Sequence, residues 1–349
     1  MKRIYSLDVL RIIATIFIIL HHYQQITNIY FEGALNFYNG TFDFGNLVEF
    51  FFVLSGFLTF KYIGYKEMTF AEFYLPKIKR LLPLVLVSCI TYVSFQWWYE
   101  RLGNGFWILG PGINLWNVII SGLGIRCAWC YDGILVNDPV WYVSSLLLCY
   151  AIFYLLVYIS RKNNFNVVYS FGIMIFLGSA ICEYQWNLPF LNEQAARGYY
   201  AFFFGLILAY ILHEKKITRK SLIVSLLLVI GMTYGIVNYY HYFQNGIRYL
   251  MTFIYYPALI VLFLGEPVKR IFRCRFIGTL GEITYDMYIW HTPMLILLHI
   301  ITTMEKGLID IYNRTTMFVF CGAMIIVGII SHYLIERPIQ RKLKIVKKM

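Results

Sequence analysis

Long apolar windows, separated by short polar loops, recur along the whole chain. Ten of them approach the roughly 20 residues a helix needs to cross the hydrocarbon core of a bilayer. They run over about 9–27, 45–63, 81–99, 139–160, 165–182, 198–212, 221–240, 249–264, 283–303 and 315–335. The sixth and eighth are the shortest. No internal repeat and no low-complexity tract breaks the pattern. It predicts an all-α, polytopic membrane helix bundle of about ten transmembrane helices. One domain is expected over residues 1–349, with no additional soluble domain.

Composition agrees with that pattern. Of the 349 residues, 60% are hydrophobic and 14% charged, and the mean hydropathy is +0.63. A soluble domain is usually about a quarter charged, and a disordered chain has low hydrophobicity. The first apolar run has no small-residue cleavage site, so it is expected to remain as a span. The seven cysteines are scattered, mostly within apolar runs, as small buried hydrophobes are. Cys127 and Cys130 have the spacing of a redox or metal pair but no second pair beside them, so no metal is expected.

Charge gives an orientation. With the N-terminus inside, twenty-four of the thirty lysines and arginines fall on cytoplasmic loops. The six outside are Arg101, Arg126, Arg197, Arg248, Lys306 and Arg314. Such a partition follows the positive-inside rule, and a missed or extra span would scramble it. Both termini are therefore expected to be cytoplasmic, in the cell membrane. The net charge of +12 records topology and requires no nucleic-acid partner. Basic residues of the final tail suit anionic membrane lipids.

Ionisable groups inside the apolar windows call for a reason. Arg11 opens the first window, and His22 lies eleven positions on. At about 100° per residue this is three turns plus about 20°, so both share one face, about 16 Å apart along the axis. His21 is turned about 80° away from Arg11. The second window reaches Ser55-Gly56 about 15 Å after entering near Gly45, and the ninth reaches His291 about 14 Å after Glu282. Three helices are thus expected to bring His22, Ser55 and His291 to one depth. Gly56 would allow close backbone approach, and Pro293 would bend the ninth helix. Simpler roles stand beside these: a snorkelling Arg11, a hydrogen-bonded His22, helix packing at Ser55-Gly56, and a tie from His291 to a neighbouring carbonyl. Trp141, Tyr142 and Ser144 suit either a sugar ring or an aromatic belt. Glu336, before Arg337-Pro338, is expected to cap or pair locally at the inner surface.

These segments together resemble the acyltransferase 3 family of integral membrane O-acyltransferases. The resemblance is carried by Arg11 and His22 after "YSLDVLR", by "FFVLSGFL" (Phe51 to Leu58) and by "FYLPKIKRLLP" (Phe73 to Pro83). "WYVSSLLLCY" (Trp141 to Tyr150), "LGEITYDMYIWH" (Leu280 to His291) and "YLIERP" (Tyr333 to Pro338) complete it. It covers nearly the whole chain, in order. Two departures stand out. No glutamate follows within Val143 to Tyr150, and Lys77, Ile78 and Lys79 stand where many members have an arginine pair.

The resemblance implies transfer of an acyl group, commonly acetyl, from cytoplasmic acyl-CoA as co-substrate, with no bound cofactor. The acceptor would be a hydroxyl of a sugar, glycolipid or surface polysaccharide. His22 would be the catalytic residue, with Arg11 and His291 assisting. Arg80, Lys77 and Lys79 would bind the donor, and Ser55, Tyr288 and Trp141 would line the acceptor side. A neutral imidazole can serve as general base or as an acyl relay. The alternative class is a transporter or flippase for a glycolipid or small solute. Against it, no paired interrupted helices appear in two matching halves.

Overall fold

A computed structural model of the chain describes residues 3–64, 68–102, 115–129, 136–243, 246–304 and 309–345. No strand occurs among the described residues, which are predominantly helical. Each of the ten apolar windows falls on a helix. The helices are α1 (Tyr5–Thr27), α2 (Leu47–Thr59), α3 (Phe70–Arg101), α4 (Leu115–Gly122), α5 (Val140–Lys162), α6 (Val167–Glu183) and α7 (Glu193–Glu214). They continue with α8 (Arg219–Phe243), α9 (Ile247–Leu250), α10 (Tyr256–Leu264), α11 (Glu266–Ile271), α12 (Arg275–Met304), α13 (Arg314–Ser331) and α14 (Arg337–Ile345).

Among the described residues, nine helical stretches are long and apolar enough to cross a membrane. The fifth window, on α6, gives a shorter helix of 17 residues. Three stretches are composite. Short 3-10 turns at Phe44–Asn46 and Phe60–Gly64 extend α2 into a stretch over Phe44–Gly64. A π-helical turn at Met251–Tyr255 joins α9 to α10, and another at His332–Glu336 joins α13 to α14. Such turns carry one extra residue per turn and are frequent at functional sites.

Several helices start earlier than the apolar pattern suggests, α1, α3, α7 and α12 among them. In α1 the helix begins at Tyr5, so Asp8 lies inside it. Helix α3 begins at Phe70, so Lys77, Lys79 and Arg80 stand on a helix and not in a loop. A capping box explains the early start: the Thr69 side chain accepts from the Glu72 N–H, and Glu72 accepts from the Thr69 N–H. Helix α4 forms within the long segment between α3 and α5. Cys130 lies outside the described residues.

The chain divides into two compact units. The first comprises Met1–Gly64, Val168–Phe176 and Tyr199–Thr284. Here α1 packs on α2 and α10, and α8 packs on α10. Ile18, Tyr23, Phe52, Phe202 and Phe203 form its buried centre. Helix α8 is otherwise almost wholly exposed, as an apolar helix facing lipid would be. Gly56 of α2 lies against the backbone of Phe202, and Gly205 of α7 against that of Val53. A β-carbon at either position would overlap a carbonyl oxygen, so these glycines let α2 and α7 touch backbone to backbone. The expectation for Gly56 is met.

The second unit comprises Tyr65–Val167, Leu177–Gly198 and Tyr285–Met349. Helix α3 packs on α4, α5 and α14. Val85, Cys89, Phe153 and Leu295 are buried in it.

Candidate active site

In the first unit, Asp8 organises the start of α1. Its carboxylate is buried and accepts from Arg3 Nε at 2.6 Å and Arg11 Nη1 at 3.3 Å. Arg3 also reaches Glu282 Oε1 and the Gly278 carbonyl, both at 2.5 Å. Burial lowers the Arg3 pKa, but its hydrogen bonds and charge contacts with Asp8 and Glu282 outweigh this and raise it above the ordinary value. A β-carbon at Gly281 would press into the Asp8 carboxylate, so that glycine leaves the room the cluster occupies. Arg11 is therefore more than a snorkelling anchor: it is half of a charge pair.

The two adjacent histidines have different surroundings. His21 is buried, and its Nδ1 lies 2.9 Å from the Phe37 carbonyl and 3.1 Å from Asp43 Oδ1. A carbonyl only accepts, so His21 Nδ1 carries a proton. His22 is half-exposed, with Nδ1 2.8 Å from Gln25 Oε1, one turn further on. If that nitrogen donates, the His22 lone pair sits on Nε2.

On α2, Ser55 is half-buried and its carbonyl accepts from Thr59 Oγ1 at 2.7 Å. Nearer the start of that helix, Glu49 is fully buried. Tyr200 donates to Glu49 Oε1 at 2.9 Å, and Arg248 Nε lies 3.7 Å from the same oxygen. The pairing answers a carboxylate that would otherwise be costly in this interior.

The second unit holds the remaining residues singled out from the sequence. His291 is fully buried on α12, and its Nδ1 donates to the Tyr288 carbonyl at 2.6 Å, a tie within one turn. Tyr288 donates to the Pro139 carbonyl at 3.1 Å, and its ring stands edge-on to Tyr142 at 5.6 Å. Trp141 is also buried, with the Arg197 guanidinium 4.7 Å above its ring. Of the basic residues on α3, Lys77 places its ammonium over the rings of Tyr150 and Phe73, at 4.9 and 5.4 Å. Lys79 reaches the Leu343 carbonyl at 3.5 Å. Arg80 is exposed. His22 and Ser55 belong to the first unit and His291 to the second; their common depth stays an expectation from helix rise.

A family model described as an acyltransferase domain matches residues 4–334, nearly the whole chain. The chain belongs to the acyltransferase 3 family. No curated protein and no solved structure matches it. Acyltransferase 3 membership, with nine spanning helices among the described residues, makes this a multi-pass membrane acyltransferase. The transporter alternative gives way to the enzyme.

Several site-building residues of this acyltransferase 3 chain escaped the sequence reading. Asp8 stands three positions before Arg11, the spacing of a helical ion pair, so its role was legible once the helix start was known. Glu49 and Asp286 are acidic residues within apolar windows, the same signal that drew attention to His22. Their partners come from distant segments, and no spacing rule could have named them. Glu336 does pair locally, with His332 Nδ1 at 2.5 Å and Gln340 Nε2 at 2.7 Å, but it also meets Asp286 in the interior.

Proposed function

We propose that the protein transfers an acyl group, acetyl in the simplest case, from cytoplasmic acyl-CoA to a hydroxyl of a sugar, glycolipid or surface polysaccharide. The family match supports acyl transfer, and the state of His22 supports the assignment of the base. His22 is the half-exposed histidine on the helix that carries Arg11, and Gln25 steadies its ring. A hydroxyl attacking a thioester must lose its proton as the new C–O bond forms. A neutral imidazole with its lone pair on Nε2 takes that proton and returns it to the departing thiolate. In the relay variant, Nε2 first accepts the acyl group from the thioester and then passes it to the hydroxyl.

Arg80 is proposed to bind donor phosphates, since it is exposed and carries a planar fork of donors. Arg11 assists, with Asp8 fixing its position. Lys77 and Lys79 supply background charge. Trp141, Tyr288 and Ser55 are proposed to line the acceptor path, with His291 as a positioning residue.

The test is acetyl-CoA labelled in the acetyl group, added to membranes holding the protein and a mixed glycolipid acceptor pool. Label must pass to an acceptor, or thioester must be hydrolysed, at a rate that His22→Ala removes. Transfer at the full rate without His22 would refute the assignment.

A further inference from the structure

We propose that Asp286, His332 and Glu336 form a binding site for one divalent cation of the zinc class. Nothing in the acyl-transfer reading requires it. The three side chains come from two helical segments of the second unit, α12 and the π-helical turn after α13. Each is more than nine-tenths buried. Their ligand atoms all lie within 4.8 Å of one another. His332 Nδ1 is 2.5 Å from Glu336 Oε2 and 3.3 Å from Asp286 Oδ2.

Two observations point to a ligand beyond the cluster itself. Asp286 is fully buried, and its Oδ2 has no hydrogen-bond partner outside the cluster, where it faces His332 and Glu336. Its other oxygen is engaged: Ser331 donates to Oδ1 at 2.7 Å, and Trp290 donates to Ser331 at 2.8 Å. The carboxylate is thus aimed by its neighbours, the arrangement that orients metal ligands. The second observation is the charge count. Two carboxylates lie in an apolar interior, and among the described residues neither meets a lysine or arginine. Without a cation the two carboxylates must share a proton or lean on a protonated His332. A divalent cation with neutral His332 balances both.

One imidazole nitrogen and two carboxylate oxygens suit zinc, or the similar manganese and iron(II), better than calcium or magnesium. Binding needs a free lone pair on His332 Nδ1 and both carboxylates ionised, so any proton the cluster shares is released as the cation enters. Ligands at about 2.0–2.2 Å in a tetrahedral shell stand roughly 3.3 Å apart. The His332–Asp286 separation already fits, and the His332–Glu336 contact must open by roughly 0.8 Å on the same basis. The extra residue of the π turn gives that segment room to adjust. Such a cation would clamp the helix bearing Tyr288 and His291 to the last span.

The experiment uses the untagged full-length protein purified in detergent without chelator. Elemental analysis is expected to find about one equivalent of a divalent metal. After chelation, added cobalt(II) is expected to give a visible absorption band that zinc abolishes. Asp286→Asn and Glu336→Gln should each weaken zinc binding at least tenfold, while Gly231→Ala, on α8 where a β-carbon meets nothing, should keep it. Should a variant fail to fold, zinc must still raise the melting temperature of the chelated wild-type protein. Wild-type protein with no metal, no cobalt band and no zinc-dependent shift overturns the proposal and leaves a proton-sharing cluster. Undiminished zinc binding in Asp286→Asn overturns it equally, because the metal then sits elsewhere.

Discussion

His21 and His22 stand edge to face with ring centroids 5.0 Å apart, yet they are held by different kinds of partner. His21 meets the Phe37 carbonyl and Asp43, whereas His22 meets Gln25, one turn along its own helix. The first environment builds a loop; the second leaves a ring able to change its bonding during a reaction. His22→Ala should lower the transfer rate by about 10²–10⁴-fold with normal expression, the usual cost of losing a general base. His21→Ala should instead cost about 1–3 kcal/mol of stability, by orphaning a buried carbonyl. Initial rates and melting temperatures of both variants decide it. A larger rate loss in a well-folded His21→Ala would reverse the roles.

Glu49 offers a test that bears on folding alone. Its buried carboxylate depends on Tyr200 and Arg248. Removing one partner of a buried pair strands the other's charge, at about 3–5 kcal/mol. Arg248 is a third exposed and Tyr200 remains, so Arg248→Ala should cost less than that, about 1–2 kcal/mol. Arg248→Ala combined with Glu49→Gln should recover part of the loss, because no charge is then left behind. Thermal unfolding in one detergent gives the comparison. An additive double variant would show that Arg248 and Glu49 do not interact.

The close contact of α2 with α7 makes a sharper steric prediction. Gly56→Ala and Gly205→Ala each put a methyl group into a carbonyl oxygen. Overpacking of this kind typically costs about 1–3 kcal/mol, and here backbone must yield to it, not a side-chain tip. Both variants should show lower melting temperatures and reduced yield. Gly231→Ala, where a β-carbon meets nothing, is the control and should be neutral or slightly stabilising. Wild-type stability in Gly56→Ala would rule out the backbone contact between α2 and α7.

The spans were legible because apolar length is a property of contiguous sequence. All ten windows became helices. Helix starts were harder, since the Thr69–Glu72 capping box is polar and the apolar pattern does not register it. The site was legible only in part. Arg11 and His22 share a helix, so periodicity places them. Glu282, the partner of Arg3, lies 279 residues away from it, and the partners of Glu49 and Asp286 come from spans whose rotation depends on packing. Lys77 shows the opposite failure. Its charge was visible, but the aromatic rings of Phe73 and Tyr150 that hold it were not.

Orientation can be tested directly. With the N-terminus inside, the basic start of α8 at Arg219 should face the cytoplasm and the start of α13 at Arg314 the exterior. Single cysteines introduced at these positions in a cysteine-free background should differ in labelling by a membrane-impermeant maleimide on intact cells. Arg314→Cys should label and Arg219→Cys should not, until the membrane is broken. Equal labelling of both on intact cells would remove the topological basis for a cytoplasmic donor.

The donor assignment separates the basic residues of α3 by what already engages them. Arg80 is exposed, whereas the Lys77 ammonium rests over two aromatic rings and Lys79 meets the Leu343 carbonyl. A cation committed to local contacts gains less from an incoming phosphate, because those contacts must be given up. A charge-assisted hydrogen bond contributes about 1.5–3 kcal/mol. Arg80→Ala should therefore raise the KM for acyl-CoA by roughly 10–100-fold, with kcat changed much less. Lys77→Ala should affect stability more than KM, since it removes packing against Tyr150. Arg80→Lys keeps the charge but loses the fork, and should fall between wild type and Arg80→Ala. The decisive comparison is KM measured with acyl-CoA and with an analogue lacking the 3′-phosphate. If Arg80 grips that phosphate, the two donors should differ in wild type and converge in Arg80→Ala. A constant ratio across the variants would show that Arg80 holds another part of the donor, and an unchanged KM would remove it from the donor site.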